Sequence, residues 1–202
     1  MSLNPVFATY DWRAAPATEV YQYCPYCGQT LTEAVIDHRL RPTCTGCGFV
    51  HFKNPAPGIS VFVVDGRLPS ANGRVLLTKR NSDLGGTNWA LPSGYIEYDE
   101  DYLTAAMREV KEETGLDVVI EAIINVESGF VSPRYHFLTV YLLAHVVGGE
   151  LAAGDDATAV DWFPLAGPLP EMAFAPDVAI IRQYTAGTLA QFPIVYEEEL
   201  AS

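Results

Sequence analysis

Three glutamates set the chemical question. Glu109, Glu112 and Glu113 stand at i, i+3 and i+4, a spacing that puts three carboxylates on one face of a helix. Like charges this close repel and work against the helix. The arrangement becomes favourable when divalent cations sit over that face, and hard carboxylate oxygens suit Mg2+ or Mn2+. Arg108 adjoins the cluster and can neutralise or orient a carboxylate through a two-pronged contact. Gly94, upstream, offers backbone with no side chain to obstruct a metal or a phosphate. On the three carboxylates alone, an acidic solvated helix face remains an equal alternative.

A second constellation lies nearer the N-terminus. Cys24, Cys27, Cys44 and Cys47 form two Cys-x-x-Cys knuckles separated by 16 residues, and the rest of the chain has no cysteine. Four thiolates so arranged read as a tetrahedral, structural zinc site with no open position for catalysis. Two disulfides, inert thiols or a dithiol redox pair are the alternatives, and a reducing compartment disfavours the disulfides. His38 and His51 are close enough in sequence to compete as ligands.

These groups need elements to hold them. Residues 1–20 read as an irregular arm, 21–53 as a zinc ribbon, and 54–58 as a Pro/Gly-rich boundary. Apolar, β-branched runs at 59–64 and 75–78, split by a loop at 65–73, suggest a hairpin. A helix is expected from about 100 to 114, ended by Gly115, with Leu103, Ala106, Met107 and Val110 marking its core face. Strands are expected at 118–126, 135–147 and 159–163, and a last helix at 177–185. Residues 191–202 close the chain as an acidic tail carrying Glu197, Glu198 and Glu199. Strands broken by one helix and closed by another imply an α/β or α+β sandwich.

Composition limits the partners. Among 202 residues, 12 Lys and Arg oppose 25 Asp and Glu, giving a net charge of −13. A field of that sign repels nucleic-acid backbones and anionic lipid, so no nucleic-acid polymer and no membrane partner is expected. A small phosphorylated substrate stays compatible when cations neutralise its site. The N-terminus lacks a basic, apolar leader, and the longest apolar stretch, 137–147, is too short to span a bilayer, so a cytoplasmic location is expected.

Around the glutamates the sequence resembles the Nudix hydrolase family, whose box is Gly-x5-Glu-x7-Arg-Glu-U-x-Glu-Glu-x-Gly-U, with U a bulky aliphatic residue. Gly94, Glu100, Arg108, Glu109, Val110, Glu112, Glu113, Gly115 and Leu116 meet every specified position. The likeness covers about residues 56–190 and includes Trp89, Ala90, Leu91 and Pro92 before the box. Ser93 replaces the glycine that often precedes Gly94. The resemblance implies an α+β fold, the Nudix α/β/α sandwich with a mixed sheet, here preceded by a small zinc ribbon. It implies hydrolysis of a pyrophosphate bond in a nucleoside diphosphate linked to another moiety. By the same likeness Glu109, Glu112 and Glu113 bind the metals with help from the Gly94 carbonyl, Glu100 supports that shell, and Arg108 orients the glutamates. The general base falls in a later loop, where Asp156 occupies about the matching place, with Asp155 and Glu127 as rivals. A homodimer, common in the family, is a further expectation.

The ribbon before such a domain resembles the arrangement of NADH pyrophosphatases. Their Ser-Gln-Pro-Trp-Pro-Phe-Pro signature is missing from residues 127–137, so the chain looks closer to ADP-ribose or FAD pyrophosphatase-like members. Phe130, Tyr135 and Phe137 are candidates to stack on a base and Arg134 to meet a phosphate, although strand packing explains the aromatics as well. His136 reads as a strand histidine. The competing functions are a catalytically idle fold acting as a ligand-sensing or protein-binding module, and nucleic-acid binding through the ribbon. All box glutamates are present, which favours the enzyme. Only Arg39, Arg41 and Lys53 give the ribbon positive charge, which disfavours nucleic acid.

Overall fold

A computed structural model describes residues 5–14, 21–65, 73–80, 88–154 and 157–195. The chain divides into two compact units, one of residues 1–7, 57–129 and 137–202 and one of residues 8–56 and 130–136.

In order, the first strands are β1 (Val6–Ala8), β2 (Thr32–Ile36), β3 (Arg39–Thr43), β4 (Ala56–Asp65) and β5 (Arg74–Arg80). Two short strands, β6 (Trp89–Ala90) and β7 (Ser93–Tyr95), lead to helix α1 (Tyr102–Thr114). The chain continues through β8 (Leu116–Phe130), β9 (His136–Gly149) and β10 (Ala157–Pro164). Helix α2 (Ala175–Thr185) and β11 (Phe192–Pro193) complete it.

The main sheet runs β1-β8-β9-β4-β5-β10, with β6 on β5, β7 on β4 and β11 on β8. Successive strand residues point to opposite faces, and the central strands are apolar on both because each face is covered by a helix. Ile59, Val61, Val63 and Leu76 pack with Ala105, Ala106 and Val110 of α1. Their neighbours Phe62, Val64, Val75 and Leu77 pack with Ile180, Ile181 and Tyr184 of α2. The result is a helix–sheet–helix sandwich, and this alternation fixes its register.

Helix α1 begins at Tyr102, two residues later than the start expected near 100. Asp101 is the N-cap, its Oδ1 accepting the amides of Leu103 (2.8 Å) and Thr104 (3.1 Å), and Glu100 is thereby left outside the helix. Gly115 ends it at φ 73°, its N–H donating to the Lys111 carbonyl at 2.9 Å, the left-handed stop that glycine makes inexpensive. Strand β8 extends past the expected end at 126 and takes in Glu127. Phe192 and Pro193 pair with Ile123 and Ala122, so the chain ahead of the acidic run is sheet. The 65–73 loop, apart from its ends, and Glu197 to Glu199 lie outside the described residues.

In the second unit β2 and β3 form an antiparallel hairpin. Its two-residue turn, Asp37 (φ 51°) and His38 (φ 62°), lies in the left-handed region, as the tight turns matching strand twist require. No helix among the described residues is long and apolar enough to cross a membrane.

Candidate active site

The site grows from two segments that meet in the first unit: residues 89–95, which run into the box at Gly94, and helix α1. Residues 89–95 are fixed along their length. Trp89 N–H donates to the Glu171 carbonyl (2.9 Å), Ala173 N–H to the Trp89 carbonyl (2.7 Å), and Val61 N–H to the Pro92 carbonyl (2.8 Å). Ser93, Gly94 and Tyr95 then pair with Ser60, Ile59 and Gly58 of β4. Gly94 is held where the Glu109 carboxylate comes down on it, and a Cβ at position 94 would lie 2.0 Å from the Glu109 carboxyl carbon. Any larger residue there would have to displace the Glu109 carboxylate.

Arg108 ties the acidic groups together. Its Nη2 donates to Glu100 Oε1 (2.5 Å) and to the Tyr95 carbonyl (3.1 Å), and Nε donates to Glu100 Oε2 (3.0 Å). Its Nη1 donates to Glu109 Oε1 (2.8 Å) and Glu112 Oε2 (2.9 Å). This planar fork meets three carboxylates at once, which a point charge such as lysine's does not do. Glu100 also accepts the Glu97 amide at 3.0 Å. Arg108 first and that amide second hold its carboxyl below the usual range, while the carboxylates push the Arg108 pKa upward, Glu100 foremost.

Glu113 faces inward, fully buried, and its Oε2 accepts from Thr78 Oγ1 at 3.1 Å. Thr78 ends the inward face of β5 that begins with Leu76, so the strand supplies a donor where its apolar run stops. Thr78 was missed in the sequence, whose only signal is a threonine closing a β-branched run. Carboxylates are hard donors suited to a divalent cation, but the structure gathers these three only in part. Glu109 and Glu112 meet on Arg108, while Glu113 turns inward to Thr78. Among the described residues only the four cysteines gather as a group with ligand atoms within 4.8 Å of one another.

Asp155 and Asp156 lie outside the described residues. Their flanks are anchored at the end of α1, where Ala152 N–H donates to the Thr114 carbonyl (2.9 Å) and Gly154 N–H to the Glu113 carbonyl (3.2 Å). Glu127, the remaining rival, is 5% exposed and Asp177 2%. Burial and the nearby Asp177 raise Glu127 to about 7. Burial raises Asp177 to about 7 as well, against the Leu91 amide that it accepts at 3.0 Å. Both carboxyls are thus buried side chains of the fold, Asp177 more completely than Glu127.

Of the aromatic candidates, Phe137 lies 6.2 Å from the Tyr95 ring, and Tyr135 and Arg134 are exposed. In the second unit the Phe130 ring is stacked at 4.0 Å on Trp12, so one face is already covered. There too His136 Nε2 meets the Tyr10 hydroxyl at 2.5 Å, and desolvation holds its pKa down.

The cysteines also gather in that unit, with their four Sγ atoms within 4.8 Å of one another. Cys24 and Cys47 are 3.5 Å apart and Cys27 and Cys44 3.4 Å, far beyond a disulfide bond of about 2.05 Å. Tetrahedral Zn–S bonds of about 2.3 Å put sulfurs about 3.8 Å apart, so the cluster fits that ion. Two matching turns build it: Gly28 N–H donates to the Cys24 carbonyl and Gly48 N–H to that of Cys44, both at 2.9 Å, with φ of 74° and 78°. His38 is spent on the hairpin turn, and His51 packs edge-on to Tyr21 at 4.7 Å.

The NUDIX domain family matches residues 54–184, and the Nudix N-terminal zinc-ribbon family matches residues 22–53. The chain belongs to the Nudix hydrolase family. It is therefore a Nudix pyrophosphohydrolase. An ADP-ribose pyrophosphatase of Methanocaldococcus jannaschii is 38% identical over 60% of this chain and 70% of its own length. The NAD-capped RNA hydrolase NudC of Haemophilus influenzae is 28% identical over 85% of this chain, which spans 61% of that relative's length. Among solved structures, a NUDIX hydrolase from Nitrosomonas europaea superposes with a TM-score of 0.67 at 22% identity, covering 82% of this chain and 91% of its own. That last likeness bears on the fold alone.

Proposed function

We propose that this Nudix enzyme hydrolyses the pyrophosphate bond of a nucleoside diphosphate linked to another moiety, with an ADP-ribose type of substrate first and NADH or FAD types after it. The convergence of Glu109 on the bare backbone of Gly94, with Arg108 bridging Glu109, Glu112 and Glu100, carries the reading. Glu109, Glu112, Glu113 and the Gly94 carbonyl are assigned to hold Mg2+ or Mn2+. Bound there, such cations neutralise the diphosphate and lower the pKa of a coordinated water. Arg108 orients Glu109 and Glu112, Glu100 holds Arg108, and Thr78 holds Glu113 on its inner side. Asp156 is assigned as general base, supported by the anchoring of Gly154 on the Glu113 carbonyl. Cys24, Cys27, Cys44 and Cys47 are assigned to a structural Zn2+. The division into a ribbon of residues 21–53 and a catalytic domain of residues 56–190 accompanies these assignments.

The experiment is Glu112→Gln. Its side chain is 45% exposed and its carboxylate is bonded by Arg108 at the surface, so folding is retained while Mg2+-dependent release of AMP from ADP-ribose is abolished. Unchanged turnover in the variant would overturn the metal assignment.

A further inference from the structure

Asp177 is a puzzle for a purely structural account. It is a carboxylate in the first turn of an otherwise apolar helix face, 2% exposed, among Ile180, Ile181 and Tyr184 of the core. A buried acid of this kind costs stability, and an asparagine would offer the Leu91 amide an acceptor at less cost. Its Oδ2 accepts one hydrogen bond, from the Leu91 amide across 86 residues of sequence. Leu91 is itself fully buried and stands three residues before Gly94.

The surroundings show what that bond holds. The Pro92 carbonyl and residues 93–95 are fastened to β4, and Trp89 is fastened to the segment leading into α2. Leu91 is the joint between these two fastenings, and its amide is tied to Asp177. Three residues later the backbone of Gly94 lies against Glu109, whose carboxylate occupies the space where a Cβ would go. Small displacements at residue 91 therefore reach the metal-binding backbone directly. We propose that Asp177 is a positioning residue for the metal site: its carboxylate oxygen clamps the Leu91 amide and so sets the path of residues 91–94 on which the Gly94 carbonyl and the Glu109 carboxylate converge. This rests on the assignment of Gly94 and Glu109 as metal ligands made above.

The clamp needs an acceptor at Asp177 and no charge. Asp177→Asn keeps an oxygen at the same reach, whereas Asp177→Ala and Asp177→Leu remove it. Leucine also removes the buried carboxyl, so that variant keeps the fold even where the alanine cavity does not. Mn2+ binding to the purified full chain, followed by calorimetry and by loss of the free-ion paramagnetic signal, reads the site without turnover. Outer groups that orient metal ligands typically change affinity about 10–100-fold. We expect Asp177→Leu and Asp177→Ala to bind Mn2+ about tenfold more weakly, Asp177→Asn to bind as wild type, and ADP-ribose turnover at saturating Mn2+ to recover in all three. Unchanged Mn2+ affinity in Asp177→Leu would overturn the clamp, and so would an Asp177→Asn as weak as Asp177→Leu. Wild-type protein without Mn2+ binding would instead sink the metal assignment, and the clamp with it.

Discussion

At Gly94 the distance to a carboxylate replaces what is usually a conformational argument. The backbone there needs no positive φ; it needs the absence of a methyl group, because Glu109 occupies that volume. Gly94→Ala is therefore expected to lose Mn2+ affinity and ADP-ribose turnover together, with thermal stability little changed, measured by calorimetric titration and melting. Buried Glu127 and Asp177 act on stability. Both are raised to about 7 from ordinary values near 4, so the folded state binds their protons more tightly than the unfolded one. The stabilisation from those protons is full below about pH 4 and is lost as pH rises through 7. Glu127→Gln removes the ionisation, so its melting temperature should exceed wild type's at pH 8.5 by several degrees and approach it near pH 4.5. An equal offset at both pH values would contradict this.

At the scale of elements, α1 does two jobs with one register. Its inner stripe of Ala105, Ala106 and Val110 packs on the sheet, while the flanking positions aim Arg108 and Glu109 at residues 94–100 and Glu112 at Arg108. The caps hold that register. Asp101→Ala should cost about 1 kcal/mol, while Gly115→Ala, whose Cβ would fall 2.4 Å from the Glu150 carbonyl, should cost more, as denaturant melts would show. The helix and the placing of Glu109, Glu112 and Glu113 on it were legible in the sequence because spacing along a single helix defines them. The start at Tyr102 was not, since Asp101 is recognised as a cap only once its side chain is seen to accept Leu103 and Thr104. Thr78 and Asp177 were hidden for a stronger reason. Their partners, Glu113 and Leu91, are 35 and 86 residues away, and no local periodicity encodes a contact made by folding.

For the whole molecule, charge and cysteine usage are the informative quantities. The net −13 first argues against phosphorylated partners, but part of it is collected on α1, where the proposed assignment would have it bind the cations a diphosphate requires. The remaining field is long-ranged only within a Debye length of about 10 Å at 0.1 M salt. Filter binding at that salt is expected to show no retention of plain RNA oligomers, and tight retention would contradict the electrostatic argument. The zinc assignment predicts one equivalent of zinc by elemental analysis. A thiol reagent should reach the four cysteines only after chelation, and zinc-free protein with oxidised thiols would refute it.

The central claim is the reaction itself. It is tested most directly by incubating purified protein with ADP-ribose and Mg2+ and resolving the products by phosphorus NMR. AMP and ribose 5-phosphate in equal amounts, absent when the cation is chelated, are the predicted result. No turnover of ADP-ribose, NADH or FAD with Mg2+ or Mn2+, alongside tight binding of one of them, would contradict it and mark the chain as a ligand sensor.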